Sequence, residues 1–416
     1  MRTPRSIASG ALLVAVLTTL AGPVRPASAT ASAVPNPSFE DGWRDSKVAC
    51  WGLSGSAAGR LTVTRNGHSR LAAFGRGSGP ASAQLILATD RSAACRTAVS
   101  PGSRLRLRFW LKSTAGARPV VAVWSAQSGW RNWYTGARLA AAPLRRYSVS
   151  LPAIPAGVTA VSVGIAFDAT STVVLDDVAL VPPSGQLLFG PRFPSVNGLV
   201  TNELAYWSPA DPRYAVSPVW EMTSGSLFAY NGGGYTGVPD DRTADLRSRS
   251  GTGSAIFRLT TRDHSFGDVS VRMKLNVRRL LATASTPRVG WDGVHVFLRY
   301  KSQYQLYYAS VGRRDGEIVI KKKCPGGPSN DGTYYALVPE TPGHPISFNA
   351  WEAVDATVRD DAYGNVRIVL RRNGQVVARA KDKGVGCAPL TGSGAVGIRG
   401  DNAEFHFSDY RVTAVD

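Results

Sequence analysis

The chain has 416 residues, with 48 Lys and Arg against 29 Asp and Glu, a formal net charge of +19, and 43 Gly and 26 Pro. This length predicts two domains, each large enough for its own core. Gly and Pro are spread along the chain and no long segment has helical periodicity. That pattern excludes a coiled coil or a helical solenoid and is typical of all-β modules.

Residues 1–33 predict an export signal. Arg2 and Arg5 precede an apolar run from Ala11 to Leu20, and small-residue cleavage sites follow at 27–29 and 31–33. This is the pattern of a secretory signal peptide. No later stretch reaches about 18 uninterrupted apolar residues, so we expect no membrane span and a secreted, extracellular protein.

The charge favours a polyanionic partner. Without the three arginines of the signal segment, residues 34–416 carry +16. Net charge of this size attracts polyanions, and export argues against nucleic acid, so an acidic polysaccharide or another anionic envelope polymer is the favoured ligand. The alternative is that the arginines reflect a G+C-rich coding background. No organic cofactor is predicted, because no phosphate loop or dinucleotide fingerprint occurs.

The four cysteines predict two disulfides. They are Cys50, Cys95, Cys324 and Cys387, an even number in an exported chain. Three pairings are possible in principle. A domain boundary near residue 184 favours pairing Cys50 with Cys95 and Cys324 with Cys387, since each bridge then lies within one domain. No C-x-x-C spacing supports metal binding.

The first module spans residues 34–183 and is predicted to be one jelly-roll-like β-sandwich. From Arg104 to Lys112, apolar side chains alternate with Arg and Trp, which predicts a strand with one buried and one solvated face. The opening N-P-S-F-E-D-G and the late V-V-L-D-D-V-A-L resemble CenC-type carbohydrate-binding modules over essentially the whole segment. The resemblance implies a sugar-binding module.

The same resemblance implies a structural calcium site. It would fall on Glu40 and on Asp177 or Asp176, with backbone carbonyls completing the oxygen ligands. The alternative is that all three are solvated carboxylates at strand ends.

Sugar binding requires flat apolar surface and nearby polar groups. Trp130, Trp133 and Tyr134 are the candidate platform, whereas Trp110 or Trp124 is expected in the core. The module carries 17 Lys and Arg against 7 Asp and Glu, which departs from the family and argues against a neutral glucan.

The second module spans residues 184–416, after the connection Pro182–Gly185. Its W-x-x-x-x-G-S-L opening at Trp220, its F-G-D-V-S-V-R-M-K strand and its closing G-A-V-G-I-R-G-D-N-A-E-F resemble concanavalin A-like, laminin G-like sandwiches. The predicted fold class is therefore all-β, with two tandem β-sandwich (jelly-roll) domains after a signal peptide. That sandwich hosts lectins, glycosidases, lyases and adhesion modules, so it does not decide the chemistry.

A basic, aromatic β-meander at 290–323 is the candidate catalytic face. Strand alternation puts Val294, Val296 and Leu298 in the core and leaves the opposite face, with His295 and Arg299, open to a ligand. The candidate catalytic residues are His295, Arg299, Tyr304, Tyr307 and Tyr308. Arg272, Lys274 and Lys321 are expected to extend this face and bind substrate.

The residue types favour β-elimination over hydrolysis. The E-x-D-x-E strand motif of laminarinase-like hydrolases is absent, whereas cations, His and Tyr are the groups that a polysaccharide lyase requires. Whether the protein is an enzyme stays open, with a lyase or glycosidase favoured. A non-catalytic binding or adhesion protein and a glycoside hydrolase are the alternatives, and His295 alone is also consistent with a structural histidine.

Overall fold

The computed structural model describes residues 34–416 except 42, 45–46, 57–58, 66–68, 76–82, 241–250, 253–254 and 362. The predicted signal segment lies outside the described residues. The fold is all-β, as predicted, and its strands form two successive sandwiches. In the described part of the chain, no helix has the length and apolar character to cross a membrane.

The first sandwich is built from short and medium antiparallel strands. They are β1 (Trp43–Arg44), β2 (Lys47–Val48), β3 (Trp51–Gly55), β4 (Gly59–Arg65), β5 (Ser69–Gly75), β6 (Gln84–Thr89), β7 (Thr97–Ala98), β8 (Arg106–Ser113), β9 (Ala117–Ser125), β10 (Gly129–Thr135), β11 (Ala142–Ser150), β12 (Val158–Asp168) and β13 (Thr172–Val181). A 3₁₀ turn covers Ala93–Cys95. Over the described residues, one sheet has the order β1-β2-β3-β6-β12-β9-β10, with β7 also on β12, and the other has the order β11-β8-β13-β5-β4.

Strand β8 shows why this module folds as a sandwich. Leu107, Phe109 and Leu111 are buried in the core between the two sheets, whereas Arg108 and Trp110 on the other face are only partly buried. Period-2 alternation therefore places the apolar side chains inward, as the sequence predicts. The predicted disulfide pairing is confirmed: Cys50 bonds to Cys95, and Cys324 bonds to Cys387 in the second module.

The second sandwich has a nine-stranded and a seven-stranded sheet over the described residues. Its elements are β14 (Leu187–Phe189), β15 (Gly198–Asn202), helix α1 (Glu203–Trp207), β16 (Trp220–Ser224), β17 (Ser226–Tyr230), β18 (Gly233–Tyr235), β19 (Val238–Pro239), β20 (Gly251–Thr252), β21 (Ile256–Thr261), β22 (Val269–Leu280), β23 (Gly293–Ser302), β24 (Gln305–Arg313), β25 (Ile320–Pro325), β26 (Gly332–Ala336), β27 (Glu352–Asp360), β28 (Val366–Arg372), β29 (Gln375–Asp382), β30 (Ala395–Asp401) and β31 (Ala403–Ala414).

The two sheets enclose one large apolar core. The nine-stranded sheet has the order β15-β17-β18-β31-β22-β27-β28-β29, with β14 also on β31, and the seven-stranded sheet has the order β16-β21-β30-β23-β24-β25-β26. Side chains such as Val296, Ile398 and Phe407 fill the space between them. A second, smaller apolar cluster with Phe297, Tyr300 and Tyr308 covers part of the outer face of the seven-stranded sheet.

A β-bulge at Arg299 reverses the alternation of β23. Arg299 has a φ of 47°, and the pairing of β23 shifts register between Phe297 and Tyr300. Phe297 and Tyr300 consequently share the outer face, with ring centroids 5.5 Å apart, although they are three residues apart. The extra residue turns Arg299 toward the nine-stranded sheet, so the prediction that His295 and Arg299 share one face is wrong.

Asp268 joins the two sandwiches. One of its carboxylate oxygens accepts hydrogen bonds from Arg108 (2.7 Å) and Arg146 (3.1 Å) of the first sandwich, and the other accepts one from Arg299 (2.8 Å). Burial alone would raise the pKa of Asp268, but the three guanidinium groups hold it below its ordinary value. A charged Asp268 therefore ties the strands β8 and β11 to the core of the second module.

Candidate functional site

Four polar side chains form a row across the outer face of the seven-stranded sheet. Arg258 on β21 pairs with Arg399 on β30, Arg399 pairs with His295 on β23, and His295 pairs with Ser310 on β24. Directly paired residues of antiparallel strands project on the same face and approach closely. We call the polar group around this row the outer-face cluster; it comprises Arg258, His295, Tyr308, Lys323, Tyr334, Arg399 and Asp401.

His295 lies at the buried floor of the cluster. Its Nδ1 is 3.0 Å from Ser310 Oγ, and its Nε2 is 3.1 Å from Tyr308 Oη and 3.2 Å from Asp401 Oδ2. Burial lowers the pKa of His295, and the attraction of Asp401 does not compensate for it. Burial likewise raises the pKa of Tyr308, whose ring stacks on the imidazole at 4.3 Å. A neutral imidazole and a protonated phenol therefore form the floor at neutral pH.

Asp401 and Arg399 form the charged part of the cluster. Arg399 Nη2 is 2.7 Å from Asp401 Oδ1, and Arg399 Nε donates to Asp401 Oδ2 at 2.8 Å. Burial would raise the pKa of Asp401, but Arg399 and His295 hold it far below its ordinary range. Arg399 also donates through Nη1 to Tyr334 Oη at 3.2 Å. The carboxylate thus orients a guanidinium that in turn contacts the tyrosine hydroxyl at the rim.

Lys323 contributes an amine whose pKa lies below its ordinary value. It pairs with Tyr334 across β25 and β26, and its Nζ lies 5.2 Å from the centre of the Tyr334 ring and 5.9 Å from that of Tyr304. Burial, followed by the positive charges of Arg258 and Arg399, lowers the pKa of Lys323 to about 8. An amine with this pKa can accept a proton at slightly alkaline pH.

Among the described residues, Arg258 has no carboxylate within ion-pair distance, and the same holds for Lys323, whose amine donates to the Asn330 backbone oxygen at 3.5 Å. Burial and the nearby Arg399 lower its pKa, but a guanidinium keeps its charge throughout the physiological range. A half-buried guanidinium that is attracted by Asp401 but bonds to no carboxylate is electrostatically unfavourable in the free protein. A carboxylate or sulfate of a ligand would relieve that penalty.

The structure brings together only some of the predicted catalytic residues. His295, Tyr304 and Tyr308 lie at the outer-face cluster, His295 at its floor and Tyr304 beside Lys323. Arg299 is fully buried on the opposite side of the sheet, where it binds Asp268 and Asp360. The position of Arg299 follows from the bulge of β23, which the hydrophobic pattern does not reveal.

Tyr307 also lies away from the cluster, inside the main core. Its hydroxyl donates to Asp382 at 2.6 Å and accepts from the Leu390 backbone N–H at 2.9 Å. Both groups are buried, and Asp382 is also paired with the buried Lys322 at 2.8 Å. Tyr307 therefore completes a buried polar network rather than an open surface.

The predicted substrate-binding cations are divided between the two sheets. Lys321 lies on β25 and forms an ion pair with Glu340 at 3.3 Å. Arg272 and Lys274 lie on β22 of the nine-stranded sheet, so the expectation that they extend the face containing His295 is wrong. Alternation identified them as exposed, but it does not specify which of the two sheets a strand joins.

Sequence reasoning missed Arg258, Tyr334, Arg399 and Asp401, whereas Lys323 belongs to the basic end of the predicted meander at 290–323. Two local patterns pointed to three of them: a single Arg between the apolar Phe257 and Leu259, and the R-x-D alternation at 399–401. Their convergence depends on long-range strand pairing, which those local patterns do not contain.

A second candidate surface lies on the first sandwich. Trp130 and Trp124 are directly paired on β10 and β9, and the Arg96 guanidinium lies 4.1 Å from the centre of the Trp124 ring. Arg91 lies 5.6 Å from the Trp130 ring. Both indoles are partly exposed and Trp110 is only partly buried, so the expectation that Trp110 or Trp124 belongs to the core is wrong. We call these four residues the Trp–Arg surface; the other predicted platform residues, Trp133 and Tyr134, pack against the core.

The predicted calcium ligands lie at one end of the first sandwich. Both carboxylate oxygens of Glu40 accept hydrogen bonds from Ser69, through its backbone N–H and its hydroxyl, each at 2.8 Å. Arg70, which follows Ser69 in the chain, forms an ion pair with Asp176 at 3.3 Å. The backbone of Asp177 has a φ of 46°. Over the described residues, no group of three His, Cys, Asp or Glu is placed to hold a metal. Calcium would therefore need several backbone carbonyls beside these side chains, and it stays a prediction.

A scan against protein-family models gives no match, and a search of curated proteins gives none either. Among solved structures, the chain is similar to the tandem CBM22-1–CBM22-2 domains of Paenibacillus barcinonensis Xyn10C, at 13% identity and a TM-score of 0.26, with 93% of this chain and 97% of that chain covered. It is also similar to tailspike protein 4 of bacteriophage CBA120, at 14% identity and a TM-score of 0.28, with 36% of this chain covered.

A third similar structure is TmCBM61 in complex with β-1,4-galactotriose, at 16% identity and a TM-score of 0.26, with 36% of this chain and 99% of that chain covered. The chain spans 21% of the tailspike and 26% of a Clostridium thermocellum xylanase that it also resembles. Identities and TM-scores at this level leave the function to be argued from the residues themselves.

Proposed function

We propose that the outer-face cluster binds an acidic polysaccharide and cleaves it by β-elimination. The observation that carries the proposal is the position of Lys323, whose pKa is lowered to about 8, beside Tyr334, Arg399 and the unpaired Arg258. A base, a proton donor and a cation for a carboxylate are the three groups that elimination from a uronate requires.

Each group has a defined role in the reaction. Arg258 binds the uronate carboxylate and stabilises the negative charge that develops when the adjacent carbon loses its proton. The neutral amine of Lys323 accepts that proton, the electron pair forms the C4–C5 double bond, and the bond from C4 to the bridging oxygen breaks. Tyr334 donates its hydroxyl proton to the departing oxygen. Lys323 and Tyr334 then recover their protonation by exchange with water.

The buried floor positions these groups without touching the reacting atoms. Asp401 holds Arg399 through two short hydrogen bonds, and Arg399 holds the Tyr334 hydroxyl. His295 contacts Asp401 from below, and Tyr308 in turn contacts His295. Because His295 is buried and neutral, it adds no further positive charge to the site, and its role is to fix the orientation of its neighbours.

The Trp–Arg surface of the first sandwich would anchor the same polymer. Indole rings provide flat apolar area for the faces of pyranose rings, and the guanidiniums of Arg91 and Arg96 attract acidic groups. Joining an anchor to a second module raises the local concentration of polymer at that module.

Secretion is part of the proposal. Residues 1–33 have the sequence pattern of a signal peptide, and two disulfides are of the kind that form in oxidising compartments. Fractionation of an expressing culture tests it: the mature chain should accumulate in the medium, and retention of the full-length chain in the cytoplasm would contradict it.

The test is incubation of the mature chain with polygalacturonate. The proposal predicts growing absorbance of unsaturated uronate ends, which Lys323→Met abolishes while polymer binding persists. Lys112→Met, which removes an exposed lysine from the first sandwich, is the matched control and should retain the rate. New reducing ends without unsaturation would indicate a hydrolase, and binding without shortening of any uronate polymer tested would indicate a non-catalytic binding protein.

A further inference from the structure

A basic groove crosses the outer face of the nine-stranded sheet. Its volume is about 850 Å³, and β22, β27, β28, β29 and β31 form its walls. Of the described residues, six cationic side chains line it against three acidic ones, and none of the lining side chains is aromatic. The cations are Arg272, Lys274, Arg359, Arg371, Arg379 and Arg411, and the acids are Asp355, Asp409 and Asp416.

The strand register places the charges in a row. Arg411 pairs with Arg272, Arg272 pairs with Asp355, and Asp355 pairs with Arg371 across four neighbouring strands. Asp355 is the only carboxylate of this row; it lies 2.7 Å from Arg272 and 3.8 Å from Arg371. The row therefore has an excess of positive charge, and the Arg272 side chain is 64% exposed to solvent.

Arg411 of this row and Arg379 on β29 are free to bind a ligand. Arg379 and Arg411 are exposed, and within the described part of the chain neither has a carboxylate partner. Exposed cations that are closely spaced and only partly compensated produce a positive potential along the groove, which attracts an extended polyanion more strongly than a single anion.

The groove continues past Lys274 into a shallow hollow with an exposed aromatic. Lys274 lines both cavities, and Trp351, Glu352 and Asn373 line the hollow. Trp351 is 53% exposed, although large apolar side chains favour burial. An indole at one end of a cationic groove can stack on a sugar ring, while the arginines bind the acidic groups of the following residues.

We propose that this groove is a second binding site for an acidic polysaccharide. It lies on the outer face of the nine-stranded sheet, whereas the outer-face cluster lies on the outer face of the seven-stranded sheet, with the core of the sandwich between them. The identity of the ligand rests on the proposed function. One protein molecule would then bind two polysaccharide chains, one at the outer-face cluster and one at the groove.

The test uses the mature full-length chain in a background that weakens the other two surfaces. Trp130→Ala reduces the Trp–Arg surface and Arg258→Gln reduces the outer-face cluster, and binding to polygalacturonate is measured by calorimetry at low and at high salt. We expect salt-sensitive binding to persist in this background. Adding Arg379→Gln and Arg411→Gln should weaken it about tenfold, because each exposed charge contact contributes modestly.

The matched control adds Arg60→Gln and Arg192→Gln to the same background. It removes the same charge from exposed positions outside the groove, the Trp–Arg surface and the outer-face cluster. It should change the affinity by less than about twofold. Absence of binding in the background chain, or an equal loss in the two double variants, would overturn the proposal. So would a groove variant that loses binding to duplex DNA but keeps its affinity for polygalacturonate.

The cleavage assay distinguishes this inference from the proposed function. Suppose that no protein variant forms unsaturated product but the groove variants selectively lose polymer binding. The proposed elimination reaction is then rejected, and the proposed binding site in the groove is supported. If unsaturated product forms and the groove variants bind the polymer as tightly as the control, the binding site in the groove is rejected and the elimination reaction is supported.

Discussion

Replacement of Asp268 by Asn should destabilise the protein and weaken the connection between its sandwiches. The side chain is 3% exposed and accepts hydrogen bonds from Arg108, Arg146 and Arg299. Breaking a buried ion pair by removing one partner costs about 3–5 kcal/mol. We expect the lower end, about 3 kcal/mol, because Arg299 keeps its contact with Asp360 and the other two arginines retain some contact with water.

Urea denaturation followed by circular dichroism and tryptophan fluorescence measures this change. Asp263→Asn, at an exposed position in the same loop, is the control and should change the free energy of unfolding by less than about 0.5 kcal/mol. In Asp268→Asn, we expect a lower midpoint and a separation of the transitions of the two sandwiches. Equal midpoints for the variant and the wild type would refute the assignment of Asp268 as the connecting residue.

The pH dependence gives an independent check of the same residue. The folded-state pKa of Asp268 lies below its ordinary value, so its stabilisation is present above the unfolded pKa of about 3.9 and is lost as the pH falls through the folded pKa. The difference in stability between the wild type and Asp268→Asn should therefore shrink under acidic conditions. A difference that stays constant down to the lowest pH at which the chain folds would contradict the charged state of Asp268.

Three further predictions concern the sites. For the elimination reaction, kcat/KM on polygalacturonate should rise with pH through about 8 as Lys323 loses its proton, and a profile that falls over this range would exclude Lys323 as the base. Tyr307→Phe should lower the free energy of unfolding by about 1–3 kcal/mol, because it removes the hydroxyl that binds Asp382 and Leu390. It should leave the cleavage rate unchanged. A large loss of rate in a folded variant would show that Tyr307 takes part in the reaction. Chelation of calcium should lower the melting temperature of the wild type, and of Glu40→Gln much less; equal responses, or none, would reject the calcium site.

The sequence predicted the features that depend on local pattern. Alternation along 104–112 identified a strand with one buried face, because the period of a strand is fixed by backbone geometry. The disulfide pairing followed from the position of Cys50, Cys95, Cys324 and Cys387 relative to a domain boundary, and the structure has the same pairs.

Features that depend on a bulge or on the choice of sheet could not be predicted in this way. Arg299 has left-handed backbone geometry that inserts one extra residue into β23, and nothing in the apolar pattern marks that insertion. Arg272 is exposed as alternation indicates, but strand order decides that it faces away from His295. Arg258 and Arg399 meet only because β21 pairs with β30, a contact between distant parts of the chain.

The products of cleavage in water labelled with heavy oxygen test the elimination mechanism most directly. Elimination adds no water across the broken bond, because the proton is removed by Lys323 and the bridging oxygen leaves with a proton from Tyr334. Mass spectrometry of products from polygalacturonate should therefore show unsaturated ends that lack the elements of one water relative to saturated oligomers, with heavy oxygen entering only by slow exchange at reducing ends. Incorporation of one heavy oxygen for each bond cleaved, with saturated ends, would contradict the account and identify hydrolysis.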